Sequence, residues 1–262
     1  MWNKSLVLVV VFMLSVLPYL ASADVNTPHG WGFKRAHDGK SADAGAEYES
    51  ILENHDAVYK GTGDKKTLYL TFDNGYENGF TEQILDVLKQ EQVPSAFFIT
   101  GHYIRTAGDL VKRMVDEGHV VGNHSWSHPD FTQTSKEELL KELEKVRQET
   151  EALTGQKNMQ YVRPPRGVFS ERTLALIKEA GYTHVFWSVS VVDWNTDAQK
   201  GWQHSYDHIM EQLHPGAVLL LHTVSEDNAK ALQKVIQDAK SEGYTFQSLD
   251  QLMVEVTGDA PF

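Results

Sequence analysis

From about residue 60 onward the chain alternates between two hydrophobic periods, and no other feature limits its fold as tightly. Thr67 to Phe72 alternates as a strand does, and Glu77 to Glu91 sets Phe80, Ile84, Leu85 and Leu88 on one helical face. Ala96 to Thr100 reads as a second strand, Leu110 to Glu117 as a helix and His119 to Gly122 as a short strand. Ser135 to Leu153 is a charged helix with Leu139, Leu143 and Val146 as its apolar stripe, and Ser135-Lys136-Glu137-Glu138 opens it with a capping box. The pattern continues with a strand ending near Arg163, a helix from Ser170 to Ala180, a stop at Gly181 and a strand from Thr183 to Val189. A helix around His204 to Leu213, an apolar strand from Ala217 to Leu221, a helix from Asp227 to Ser241 and a last strand near Tyr244 to Phe246 complete it. Such alternation dictates an α/β protein with a parallel sheet and helices outside, and this many units predicts a closed or nearly closed (β/α) barrel.

What precedes the alternation sets the compartment. Lys4 stands before an apolar run from Leu6 to Leu20 that ends in Ala21-Ser22-Ala23, the pattern of a secretory signal peptide over residues 1–23. A retained membrane anchor is the competing reading, disfavoured by the short run and by Pro18. After cleavage no second long apolar run follows, so no stable membrane contact is expected. Residues 24–64 then form an N-terminal arm, with a helical stretch around Tyr48 to Val58, and residues 65–256 a single domain, since no linker or repeat divides them. The chain has no cysteine, which removes disulfides, thiolate metal sites and cysteine nucleophiles together. With 24 basic residues against 36 acidic ones, the balance argues against nucleic acid as a partner, and any anionic substrate must meet a local cationic group.

Barrel enzymes place their chemistry at the C-terminal ends of the strands, and polar residues gather there in this sequence. Asp73 follows the first strand, His124 and His128 the third, Arg163 and Arg166 the fourth, Asp193 the fifth and His222 the sixth. Asp73 suits a base or ligand, and two histidines four residues apart reach one metal ion if their segment turns helically. Each residue also has a plain structural role. Asp73-Asn74-Gly75 reads as a turn, His222 as a satisfied core histidine, Asp193 as a cap and Arg163 as a surface charge. Their shared position after successive strands favours the functional reading. Gly61 to Thr67 looks like a phosphate loop but precedes a strand and lacks the glycine before lysine, and His204, His208 and His214 form no convincing second site.

Five ordered motifs, Thr71-Phe72-Asp73-Asn74-Gly75, His124-Ser125-Trp126-Ser127-His128, Arg163-Pro164-Pro165-Arg166-Gly167, Asp193-Trp194 and Leu220-Leu221-His222, resemble those of the polysaccharide deacetylases of carbohydrate esterase family four. With Trp31-Gly32-Phe33-Lys34-Arg35 and Asn74-Gly75-Tyr76-Glu77-Asn78-Gly79 added, the chain is most similar to the δ-lactam-forming muramic acid de-N-acetylases of spore-forming bacteria. The resemblance implies a distorted (β/α) barrel of the polysaccharide deacetylase type and hydrolysis of an N-acetyl group to acetate and a free amine. It makes Asp73 the general base, Arg163 the group that holds its carboxylate, His222 the general acid and Asp193 the residue that orients it. It makes His124, His128 and position 74 the ligands of a divalent metal, zinc in expectation, Leu220 the receiver of the acetyl methyl and Trp194 a wall of the site.

Two departures from the family pattern carry consequences. Asn74 stands where the family has a metal-binding aspartate, and a neutral amide oxygen is the weaker ligand. Arg166 stands where the family commonly has an aromatic residue, and its guanidinium suits the lactyl carboxylate that distinguishes muramic acid from glucosamine. The implied substrate is therefore N-acetylmuramic acid in peptidoglycan glycan strands, met after a muramoyl amidase has removed the stem peptide. The implied setting is secreted, in the cell envelope near the spore cortex, with the protein a monomer. An N-acetylglucosamine deacetylase acting on peptidoglycan or chitin stays open as the alternative, and a catalytically silent glycan-binding module as a third.

Overall fold

The computed structural model describes residues 26–37 and 40–258, so the leader expected over residues 1–23 lies outside the described residues. The chain runs through β1 (His29–Gly30), α1 (Ala46–Asn54), β2 (Thr67–Asn74), α2 (Thr81–Glu91), β3 (Ser95–Ile99), α3 (Gly101–Thr106), α4 (Gly108–Asp116) and β4 (Val120–Asn123). It continues through α5 (Lys136–Thr154), β5 (Tyr161–Val162), β6 (Val168–Phe169), α6 (Glu171–Glu179), β7 (Thr183–His184) and β8 (Val189–Ser190). The remaining elements are α7 (Trp202–Met210), β9 (Ala217–His222), α8 (Glu226–Ser241), β10 (Thr245–Phe246) and α9 (Leu249–Thr257). Strand order in the main sheet is β7-β5-β4-β3-β2-β9-β8, with β10 against the start of β2, and every pairing is parallel. All eight residues of β2 are buried, as a strand covered on both faces requires.

The sheet curls because its two end strands are halves of one bent segment. The sequence suggests a continuous strand from Thr183 to Val189; in the structure the first half pairs with β5 and the second with β9, and the ladder breaks between them. Backbone bonds at the break go to other partners. Phe186 N–H donates to the carbonyl of Val58 at 2.7 Å, and Ser188 N–H to that of Val218 at 2.9 Å. Val58 in turn bridges Val185, and Lys60 bridges Ala217, so the end of the N-terminal arm laces the two halves together. The expected arm helix is shorter than read, ending at Asn54, because the chain must leave helical geometry to make these bridges.

Period-two alternation along β2 separates two cores. Leu68, Leu70 and Phe72 face the outer helices, in a cluster with Leu85, Leu88, Val111 and Leu139, whereas Tyr69 faces the barrel interior with Phe98, Tyr161 and Val218. The interior is closed at the N-terminal end of the strands by α9, an element the sequence periodicity did not reveal. Leu249, Leu252 and Met253 enter the inner cluster. Tyr69 donates its hydroxyl to Glu255 at 2.8 Å and Tyr161 donates to Asp250 at 2.6 Å, so both buried phenols end on carboxylates of the plug.

Local chemistry explains where helices begin. The capping box at Ser135 and Glu138 forms as the sequence predicts. The helix expected from Glu77 starts instead at Thr81, because the Glu77 carboxylate accepts from Gly79 N–H at 2.6 Å, from the Thr81 hydroxyl at 2.5 Å and from Tyr103 at 2.9 Å. The unexpected α3 is initiated by Thr100, whose hydroxyl accepts the Tyr103 N–H at 3.3 Å. Leu252→Ala removes a fully buried side chain from the plug and is expected to lower unfolding free energy by about 2–5 kcal/mol, measurable by urea denaturation.

Candidate active site

The polar residues read from the sequence meet at the C-terminal ends of the strands. Asp73 and His222 are direct register partners on the neighbouring strands β2 and β9, so their side chains leave the sheet on the same side. Arg163, the residue after β5, is 0% exposed and donates from Nη1 to Asp73 Oδ1 at 2.8 Å. Its remaining donors reach the carbonyls of Val185 at 2.9 Å and Phe186 at 3.3 Å, and its guanidinium lies over the Phe98 ring at 4.2 Å. Burial alone would raise the Asp73 pKa, but the guanidinium of Arg163, which also bonds it, outweighs burial and holds the carboxyl below its ordinary range.

His124 and His128 converge without the helical turn that their spacing suggested. They lie in the loop after β4, where Ser125 and His128 adopt left-handed backbone with φ of 66° and 61°. Asn123 Oδ1 accepts the Ser125 N–H at 3.0 Å and Ser125 Oγ accepts the His128 N–H at 3.0 Å, bonds that hold a conformation side chains rarely adopt. His124 donates from Nδ1 to the carbonyl of Arg163 at 2.8 Å, which leaves its Nε2 lone pair facing His128 Nε2 at 3.2 Å and Asp73 Oδ2 at 3.6 Å. Burial pushes both imidazoles down, His128 to about 4, so both are neutral at physiological pH. Two neutral ring nitrogens at that separation suit adjacent positions on one tetrahedral cation.

Asn74 is not brought to this pair. It is fully buried, it does not line the cleft that Asp73 lines, and its amide donates to Thr223 Oγ1 at 2.7 Å. Strand alternation accounts for this, since residues 73 and 74 leave β2 on opposite faces. The Asn74 Oδ1 atom is buried without a hydrogen-bond partner, near the Tyr103 hydroxyl.

His222 is held by two contacts to one carboxylate. Asp193 Oδ1 lies 2.8 Å from His222 Nδ1, and Asp193 Oδ2 accepts the His222 backbone N–H at 2.7 Å. Asn228 near the start of α8 donates its amide to the same Oδ2. Burial would lower the His222 pKa, but the Asp193 carboxylate, with Asp73 beyond it, raises it above the ordinary value. The arrangement therefore sets an ionised carboxylate and an imidazole that favours its cationic form on adjacent strands. Asn228 and Thr223 were not singled out from the sequence, where residues 227–241 read only as a helix.

These groups open into a cleft of about 1000 Å³ lined also by Leu220, Trp126, Trp187, Trp194 and Arg166. Trp194 is 55% exposed, with its ring 5.9 Å from that of His222. Arg166 adopts φ of 58°, and its side chain is 58% exposed with Nη2 3.7 Å from Asp130. Gly167 beside it has φ of 67°, and a Cβ there would sit 2.8 Å from Trp187 and 2.9 Å from Trp31, so the arm residue Trp31 braces this corner from beneath.

Replacing Arg163 by Met would leave the Asp73 carboxylate buried and unpaired. It is expected to cost about 3–5 kcal/mol in urea unfolding, and adding Asp73→Asn should recover much of that loss. Equal losses in the single and double variants would contradict the pairing.

Comparison with known proteins agrees with this geometry. Residues 60–185 match the family model described as polysaccharide deacetylase. The chain is 52% identical over 235 residues to the peptidoglycan-N-acetylmuramic acid deacetylase PdaA of Bacillus subtilis, covering 90% of this chain and 89% of that protein. The solved structure of B. subtilis PdaA, described as a family 4 carbohydrate esterase, superposes with a TM-score of 0.87 over 88% of this chain and 99% of that one, at 52% identity. A peptidoglycan-N-acetylglucosamine deacetylase of Bacillus cereus is 32% identical over 207 residues, which is 78% of this chain and 74% of that protein. With its curled parallel sheet and these matches, the chain belongs to the polysaccharide deacetylase family, the family 4 carbohydrate esterases.

Proposed function

We propose that the protein hydrolyses the N-acetyl group of N-acetylmuramic acid in peptidoglycan, releasing acetate and leaving the C2 amine. The observation that carries this reading is the pairing, on adjacent strands, of an Asp73 carboxyl held below its ordinary range with a His222 imidazole held above its own, in a cleft that also presents Arg166. Asp73, oriented by Arg163, takes a proton from water as the water oxygen bonds to the acetyl carbonyl carbon. The tetrahedral oxyanion accepts from a backbone N–H near Arg166, a donor of the kind worth about 3 kcal/mol. As the C–N bond breaks, His222 gives its proton to the departing nitrogen, and Asp193 holds the imidazole in position. Leu220 receives the acetyl methyl, and Trp194 screens the cleft from water.

His124 and His128 would hold a divalent cation, zinc in this reading, which when bound supplies Lewis-acid polarisation of the acetyl oxygen. The burial of Asn74 and its bond to Thr223 argue against a third ligand from that side chain. Zinc calorimetry is expected to lose its signal in His124→Ala and to change less than about threefold in Asn74→Ala, consistent with ligand-number effects on affinity.

Arg166 would meet the lactyl carboxylate, the group muramic acid has and glucosamine lacks. Freeing the amine beside that carboxylate permits a six-membered lactam to close, so an amidase must first have removed the stem peptide, and spore cortex is the fitting setting. The same reading includes a leader over residues 1–23, an arm over residues 24–64 and a catalytic unit over residues 65–256 acting as a monomer in the cell envelope. Among the described residues no helix is long and apolar enough to cross a membrane. The similarity to an N-acetylglucosamine deacetylase keeps that substrate as the second reading.

Mass spectrometry of peptide-free glycan strands and chitooligosaccharides after incubation with the protein separates the two, since acetyl loss from muramic acid alone supports the first and loss from glucosamine the second. Arg166→Ala is expected to lower kcat/KM on muramic substrates by about tenfold or more and to leave glucosamine substrates little changed, as loss of a charge-assisted contact implies. Because the protein needs His222 protonated, activity falls as pH rises through its raised pKa. Asp193→Asn should move that alkaline limb to lower pH, below the ordinary histidine value of about 6.5, as burial becomes the dominant influence. An unmoved alkaline limb in the pH–rate profile would assign it to another group.

A further inference from the structure

The wall of the cleft built by the segments after β3 and β4 carries positive charge that the reaction above leaves without a task. Arg105 of α3 lines the cleft, and its guanidinium lies 4.8 Å from the centre of the Trp126 ring. Lys145 of α5 brings its ammonium to 4.0 Å from the same ring. Trp126 is a fixed platform for them: it packs so tightly on Gly101 that a Cβ there would lie 2.2 Å from the indole. Among the described residues neither Arg105 nor Lys145 forms an ion pair with a carboxylate. Glu142, one turn before Lys145, has its carboxylate engaged by the N–H and hydroxyl of Ser127 at 2.6 and 2.9 Å. In a chain with 36 acidic residues against 24 basic ones, two cations held without acidic partners on one cleft-lining ring, one of them itself lining the cleft, run against the composition.

Topology places this charge relative to the reacting groups. Arg105 follows β3, the histidine loop follows β4 and Arg166 lies beyond β5, and these strands are neighbours in that order. Arg105 and Arg166 therefore follow strands on either side of the histidine loop, and both line the same cleft. A peptide-free glycan strand of alternating glucosamine and muramic acid carries a lactyl carboxylate on every second sugar. We propose that Arg105 and Lys145, set on Trp126, form a second carboxylate subsite that takes the lactyl group of a muramic acid neighbouring the reacting one. The proposal rests on the muramic acid reading and extends it: the enzyme selects stretches of strand from which more than one stem peptide has been removed.

The test uses an oligosaccharide with two peptide-free muramic units and the same compound with only the neighbouring lactyl carboxylate converted to its primary amide. For the wild-type protein, amidation should raise KM about tenfold with kcat unchanged, the size of effect that loss of a charge-assisted contact implies. The double variant R105Q/K145Q should show that higher KM on the acid substrate and no further change on the amide. Indifference of the wild-type protein to amidation, or equal losses by the variant on both compounds, overturns the subsite while leaving muramic acid as the substrate. Absence of acetate release from the muramic unit of either compound, with glucosamine units deacetylated, overturns the substrate reading and the subsite with it.

Discussion

The bond between Arg163 and Asp73 is the constraint around which the rest is arranged. A guanidinium and a carboxylate, both withdrawn from water, are costly to bury unless each finds its partner and the remaining donors are satisfied. Arg163 meets that condition by bonding Asp73 on β2 and two carbonyls of the bent segment that joins the ends of the sheet, while lying over Phe98 of β3. Its own carbonyl accepts from His124 Nδ1. One residue thus fixes the Asp73 carboxylate, the sheet closure and the tautomer of the first histidine, and a change there reaches all three.

Around this bond the protein separates charge states that neighbouring groups would otherwise share. The Asp73 carboxyl is held down because Arg163 outweighs its burial, and the His222 imidazole is held up because Asp193 outweighs the burial of the ring. His124 and His128, a few ångströms away, share the Asp73 carboxylate, but burial outweighs it and drives both down. Three histidines of one cleft are therefore pushed in opposite directions, one up and two down, and their second partners decide which is which. The cost is local: Ser125, His128 and Arg166 all hold left-handed backbone, a conformation that side chains penalise by on the order of 1 kcal/mol or more each.

What the sequence revealed follows from how far each signal reaches. Strand-end positions were legible because period-two runs mark where a strand stops, and Asp73, Arg163 and His222 each sit at such a boundary. The capping box of α5 was legible because its determinants lie within four residues. The fold of the histidine loop was not, since Asn123 and Ser125 bend it through side-chain bonds that no periodicity records. Asn74 invited a ligand reading by its motif position, whereas strand alternation turns its amide to Thr223, a partner 149 residues away in sequence. The plug helix α9 escaped notice because its partners, Tyr69 and Tyr161, look like ordinary strand residues until the barrel brings them to Glu255 and Asp250.

The proposed chemistry depends on the opposite shifts of the three histidines, and an NMR titration of their ring nitrogens in the isotopically labelled protein reads them directly. His222 is predicted to hold its proton on the alkaline side of the ordinary value of about 6.5, while His124 and His128 stay neutral well to the acid side of it, His128 down to about 4. If all three imidazoles titrate together near the ordinary value, or if His222 is the first to lose its proton as pH rises, the proposed pairing of ionised base and cationic acid is wrong.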